Sequence, residues 1–137
     1  MDTQNLLAEE ETPVILIVDD LGAHLELMEA ILTGEGYKVK ATMYPEEALQ
    51  IIRDTSPDLA ILDVMMPGMS GYELCKKLKV LSKENYFPII LVTSLNQLSD
   101  KISGIESGAD DFFSKPFSNI ELTTKIRSLI KLKRLQD

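Results

Sequence analysis

Val14-Ile15-Leu16-Ile17-Val18-Asp19-Asp20 is an unbroken apolar, largely β-branched run that stops on two carboxylates. It is too short for a helix and shows no alternation, so it reads as a strand buried on both faces. Working outward, Leu25, Met28, Ile31 and Leu32 recur at helical spacing within Leu21–Glu35, and Gly34 and Gly36 are expected to stop that helix. The unit then repeats. Tyr37–Ala41 reads as a short strand, and Pro45–Asp54 as a helix with Pro45 suited to its first turn. Leu59-Ala60-Ile61-Leu62 is another apolar strand, ending at Asp63. Ser70 with Glu73 three residues on is a capping-box signature for a helix reaching about Leu81. Pro88–Val92 reads as a strand ending at Thr93, roughly Ser99–Ser107 as a short helix on the pattern of Ile102 and Ile105, and Asp111–Ser114 as a strand. Ser118 and Glu121 form a second capping box, opening a last helix that carries Ile120, Ile126, Leu129, Ile130 and Leu132.

Strands and helices thus alternate five times with no hairpin signal. That order implies an α/β protein whose parallel strands are joined by right-handed crossovers, with helices on both faces. No Gly-rich fingerprint follows the first strand, and the five units favour a flavodoxin-like doubly wound sheet in the order 2-1-3-4-5.

Composition bounds the rest. The chain has 137 residues, 45% apolar and 26% charged, as expected of one globular domain. No apolar run approaches a membrane span. Residues 1–12 are polar and acidic with no clear period and read as a flexible arm, without the basic and apolar parts of a signal peptide. That absence and the single cysteine, Cys75, suit a reducing cytoplasm. A net charge of −8 argues against nucleic-acid binding through the whole surface. The charge is uneven, because Lys125, Arg127, Lys131, Lys133 and Arg134 crowd the last helix. A docking or linker element and a plain solvated face fit that pattern equally well.

In a parallel sheet the strand ends share one edge. Asp19 and Asp20 end strand one, Asp63 strand three, Thr93 strand four, and Lys115 strand five. In the order 2-1-3-4-5, strands one and three flank the switch point where ligands bind. Three carboxylates gathered there repel one another, so a cation must share the site, and all-oxygen ligation suits Mg²⁺. A carboxylate can act as a nucleophile and form an acyl phosphate. Lys115 supplies a point charge and Thr93 a hydroxyl donor to the same phosphoryl group. Pro116 keeps Lys115 out of helical geometry. Each residue has a blander reading: Asp-Asp as a helix cap, Asp63 as a turn residue, Thr93 and Lys115 as ordinary strand ends. Their joint placement at the ends of strands one, three, four and five is the specific part.

Four segments resemble the response-regulator receiver (CheY-like) family of two-component signalling: Ile17-Val18-Asp19-Asp20, Asp63-Val64-Met65-Met66-Pro67-Gly68-Met69-Ser70-Gly71, Val92-Thr93-Ser94, and Gly108 through Phe117. In order and spacing the resemblance covers about Pro13 to Leu132. It implies a receiver domain over 13–132, followed at 133–137 by the end of an extended last helix or a linker to an output domain, cyclic-di-GMP modules included. It also implies that Asp63 is the phosphoacceptor. Asp20 resembles the direct Mg²⁺ ligand, with Asp19 supporting it and Asp63 and the Met65 main-chain carbonyl completing the set. Thr93 and Phe112 resemble the switch pair, Lys115 the phosphate-binding lysine, and Lys115–Pro116 a cis peptide. The implied donor is a phosphohistidine on a sensor histidine kinase or phosphotransfer protein. The implied readout is the face made by the fourth helix, fifth strand and fifth helix, toward an output domain, a partner or a homodimer. No direct nucleic-acid or membrane contact is implied for this domain. The chain would be no enzyme beyond its own phosphorylation and slow dephosphorylation.

Departures from the family pattern also matter. Gly22 and His24 stand where Pro and Asn are frequent in that family. His24 is read as a helix-surface residue whose imidazole could lie near the acidic rim and add pH sensitivity. Met65 and Leu95 occupy the positions that tune phosphoryl lifetime, and neither can orient water well, so slow loss is expected. Cys75 is read as a structural, inert thiol. A rival reading is a haloacid-dehalogenase-type phosphatase. Such an enzyme needs a second carboxylate two residues after the nucleophile, where Met65 stands. Another rival is a pseudo-receiver that serves only as an interaction module.

Overall fold

The computed structural model describes residues 12–82, 85–94 and 98–136, without the side chains of 98–101 and 136. The expected arm up to residue 11, Leu95 and Asp137 lie outside the described residues. The strands are β1 (Val14–Val18), β2 (Lys38–Thr42), β3 (Leu59–Asp63), β4 (Ile89–Thr93) and β5 (Asp111–Ser114). The helices between and after them are α1 (Gly22–Gly34), α2 (Pro45–Thr55), α3 (Gly71–Leu81), α4 (Leu98–Glu106) and α5 (Asn119–Gln136). All strand pairs are parallel, in the order β2-β1-β3-β4-β5, which is the flavodoxin-like doubly wound sheet.

The pleat divides the core into two layers, because successive side chains of a strand leave opposite faces. Leu16, Val18, Ala60 and Leu62 meet Ala48 and Ile52 of α2 and Leu74 and Leu78 of α3. Ile15, Ile17, Leu59 and Ile61 meet Leu25 and Leu32 of α1 and Leu122 and Ile126 of α5. The central strands are covered on both sides, as their unbroken apolar runs require.

Local chemistry sets the helix ends. Ser70 Oγ accepts from the Glu73 N–H at 3.2 Å, and Ser118 Oγ accepts from the Ile120 and Glu121 N–H groups at 3.1 and 3.3 Å. Of the two glycines read as stops for α1, Gly34 is its last helical residue, and Gly36, at φ 94°, makes the left-handed turn. Element limits otherwise differ from the sequence reading by a residue. The side chains that marked the helical period are less uniform. Ile102, Ile105, Ile120 and Leu132 are exposed, so α4 and α5 turn part of their apolar pattern outward. No helix among the described residues is long and apolar enough to cross a membrane.

Candidate functional site

The site is built by register. Val18 pairs with Leu62, so Asp19 and Asp63, the next residue on each strand, emerge side by side. Both continue the alternation of Ile15, Ile17, Leu59 and Ile61, which faces α1 and α5. Asp63 pairs with Val92, and Thr93 with Ser114, so Lys115 leaves β5 beside the end of β4. Thr93 is fully buried, and its carbonyl accepts from the Lys115 N–H at 2.7 Å. The Lys115–Pro116 bond is cis.

Carboxylate oxygens of Asp19, Asp20 and Asp63 all lie within 4.8 Å of one another. Asp19 and Asp63 are buried, while Asp20 is partly open. Lys115 Nζ stands 3.5 Å from Asp19 Oδ2 and 3.7 Å from Asp63 Oδ1. Burial, then the neighbouring Asp19 charge, pushes the Asp63 carboxyl up from 3.8 to about 6; Lys115 and a hydrogen bond from the Met65 main chain pull the other way, and Asp20 adds to the rise. One ammonium therefore does not offset three crowded carboxylates. An all-oxygen, net-negative pocket of this kind fits a hard divalent cation.

The helix-cap reading of Asp19-Asp20 is not what the structure shows. The N-cap of α1 is Leu21, without a side-chain cap bond. Asp19 Oδ1 instead accepts from the Leu21 N–H at 3.0 Å, which holds the loop and leaves Oδ2 toward Lys115. His24 lies at the rim, with Nδ1 3.4 Å from Asp19 Oδ2 and 3.0 Å from Lys115 Nζ. With Nδ1 unprotonated the ammonium donates to it; once protonated, Nδ1 can donate only to Asp19.

A cavity of about 280 Å³ opens beside Asp19, Asp63 and Lys115, walled by Leu27, Met28 and Ile31 of α1 and by Pro116 and Phe117. Phe112 is outside this cluster. It pairs with Leu91, half-buried on the sheet face that Thr93 continues, beside a cavity of about 320 Å³ between α4 and β5. A Cβ on Gly104 would come 2.9 Å from its ring, so α4 and this aromatic are in close contact. Cys75 is free and fully buried; its thiol donates to the Ser107 carbonyl at 3.5 Å, and burial raises its pKa.

Gly71 is a site residue that the sequence reading quoted within a motif without giving it a task. A Cβ there would collide with the Asp63 carbonyl oxygen and lie 2.8 Å from Val64 Cα. Its N–H donates to the Val64 carbonyl at 3.0 Å. The bare Gly71 backbone lets the start of α3 press against the chain that carries Asp63. A glycine directly after a capping serine was the available signal.

Comparisons with known proteins agree with this frame. The model of the response regulator receiver domain family matches residues 15–127. Response regulator PleD of Caulobacter vibrioides is 43% identical over 123 residues, covering 90% of this chain and 27% of PleD. The protein named "Probable transcriptional regulator ycf27" of Porphyra purpurea is 44% identical over 123 residues, covering 90% of this chain and 49% of that protein. The chain thus spans about a quarter and about half of these relatives. A CheY-like receiver domain structure from Methanospirillum hungatei JF-1 superposes with a TM-score of 0.85 at 31% identity, covering 92% of this chain and 99% of that one.

Proposed function

The chain belongs to the response regulator receiver domain family of two-component signalling, and from that premise we propose that it is a phosphoacceptor switch operating through Asp63. An Asp63 carboxylate oxygen attacks the phosphorus of a phosphohistidine. The P–N bond breaks, the imidazole nitrogen keeps the electron pair and takes a proton, and Asp63 becomes an acyl phosphate. The observation that carries this reading is the buried Asp63 carboxylate inside a three-acid cluster, with an ammonium 3.7 Å away.

Asp19, Asp20, Asp63 and the main-chain carbonyl of Met65 would hold Mg²⁺, which supplies charge neutralisation of the nucleophile and the phosphoryl group. Lys115 adds a fixed positive charge on the other side, and Thr93 donates its hydroxyl to a phosphoryl oxygen. Drawing Thr93 toward Asp63 opens room on the sheet face it shares with Phe112. Phe112 then turns inward and the α4–β5–α5 surface changes shape. A local charge event thereby biases a two-state element.

The donor in this reading is a sensor histidine kinase or phosphotransfer protein, acting in the cytoplasm. Residues 13–132 form the receiver, and the end of α5 leads toward an output domain, a partner or a second copy. Support for an output domain comes from the small fraction of PleD and ycf27 that the chain spans and from the continuation of α5 to Gln136. Turnover of other substrates is not part of the proposal, because the Met65 side chain offers no acid or base two residues after Asp63. The same apolar side chain makes spontaneous loss of the phosphoryl group slow.

The test is incubation with a small acyl-phosphate donor and Mg²⁺, followed by intact mass. One phosphoryl group is expected on the native chain and none on Asp63→Asn. An unlabelled native chain would favour a pure interaction module, and steady hydrolysis of phosphate esters would favour a phosphatase.

A further inference from the structure

On the side of the sheet away from α1 and α5, α2 and α3 leave an open groove of about 330 Å³ that runs from the middle of both helices to their last turns. It is lined by Leu49, Arg53, Lys76, Lys77, Val80 and Leu81. Val80 and Leu81 are 68% and 43% exposed, so this surface is apolar as well as basic. Arg53, Lys76 and Lys77 make no ion pair with any described residue. Three cations without a carboxylate within ion-pair distance among the described residues thus border an apolar floor on a chain of net charge −8.

The chain itself contains the matching segment. Residues 1–11 hold four acids, Asp2, Glu9, Glu10 and Glu11, no lysine or arginine, and the apolar pair Leu6-Leu7. The described chain that follows it enters β1 at the edge toward which the groove runs. In a parallel α/β layer the helices finish at the edge where the strands begin, so Arg53, Val80 and Leu81 lie toward the edge at which the chain enters β1. Pro13 and Val14 are fixed there, since the Pro13 carbonyl accepts from the Lys38 N–H at 2.9 Å and the Val14 N–H donates to Asp58 Oδ2 at 2.8 Å. Eleven extended residues span about 36 Å, more than a helix pair requires.

We propose that the N-terminal segment docks back on its own domain, with Leu6 and Leu7 over Leu49 and Val80 and with Glu9–Glu11 facing Arg53, Lys76 and Lys77. The attachment is intramolecular, so a weak contact suffices at the high effective concentration that a short tether gives. None of the six groove residues belongs to the acid cluster or to α4, β5 or α5. The segment therefore covers a surface distinct from both the phosphorylation site and the expected readout face.

The test uses the full chain carrying Ala8→Cys and a nitroxide. Cys75 is fully buried, so the label selects the new thiol. Relaxation loss in amide NMR spectra is expected at Leu49, Arg53, Lys76, Lys77, Val80 and Leu81. It should fade when Lys76→Glu and Lys77→Glu are added, and weaken with salt. Loss spread evenly over the surface, or centred on another face, would overturn the proposal. So would loss that appears only between labelled and unlabelled molecules, since a second copy would then be the occupant.

Discussion

The Lys115 N–H donates to the Thr93 carbonyl at 2.7 Å, so the lysine facing Asp63 and the hydroxyl residue that ends β4 are tied together through their main chains. The tie does not involve either side chain. Lys115 can therefore lose its ammonium without loosening β5 from β4, and the effect of charge can be separated from that of structure.

Lys115→Ala should raise the Asp63 carboxyl above about 6, because the nearest cation that lowers it is gone while burial and Asp19 remain. A carbon-detected NMR titration of the Asp63 carboxyl measures this. An unchanged midpoint would mean that the ammonium does not act on Asp63.

Asp63→Asn should stabilise the metal-free protein at neutral pH. The folded-state pKa of Asp63 lies above its ordinary value, at about 6 against 3.8, so between these values the folded state binds the extra proton. Stability from this group is full below about pH 4, falls as pH rises, and is lost above about pH 6. The shift corresponds to on the order of 2–3 kcal/mol. Denaturant unfolding of both proteins at pH 4 and pH 7 checks it. The gap should open at pH 7 and shrink when Mg²⁺ is added, because a cation bound only by the folded native chain stabilises it.

Gly71→Ala should destabilise the fold by about 2 kcal/mol or more, because the added Cβ meets main-chain atoms that cannot rotate away. Gly104→Ala is the control: the atoms nearest its Cβ belong to the Phe112 ring and a Leu91 methyl, side chains that can yield. Thermal unfolding should rank Gly71→Ala well below Gly104→Ala, and equal losses would contradict the close approach of α3 to Asp63.

Much of this fold was legible in the chain. The runs at Val14–Val18 and Leu59–Leu62 lack alternation because both faces are covered, and together with the strict alternation of strands and helices that pattern implies a parallel sheet with helices on each side. The convergence of Asp19, Asp20, Asp63 and Lys115 then follows from strand order. What was not legible depends on distances that no periodicity encodes. Gly71 reads as an ordinary residue after a cap until the Asp63 carbonyl is found against it. For His24 the sequence suggests a place near the acidic rim, but its direct contacts with Asp19 Oδ2 and Lys115 Nζ emerge only from the distances. Ile102 and Ile105 carry the period of α4 yet face outward, because periodicity marks a helix without saying what covers it.

Asp110→Ala should cost about 2 kcal/mol although it is remote from the acids. One Asp110 oxygen accepts from the Ile89 N–H and from Lys79 Nζ, each at 2.7 Å, and Lys79 also donates to the Phe87 carbonyl. Removing the carboxylate leaves a main-chain donor and a partly buried ammonium short of a partner. Chemical denaturation gives the loss, and hydrogen exchange at Ile89 should quicken; an unperturbed Ile89 amide would count against this latch.

Chemical mapping of the modified residue is the most direct test of the central claim. After incubation with a small acyl-phosphate donor and Mg²⁺, borohydride reduction should convert a phosphorylated aspartate to homoserine, read by peptide mass spectrometry. The expected result is homoserine at position 63 alone, absent when the donor is omitted. Homoserine at another aspartate, or a phosphoryl group that resists borohydride, would contradict it.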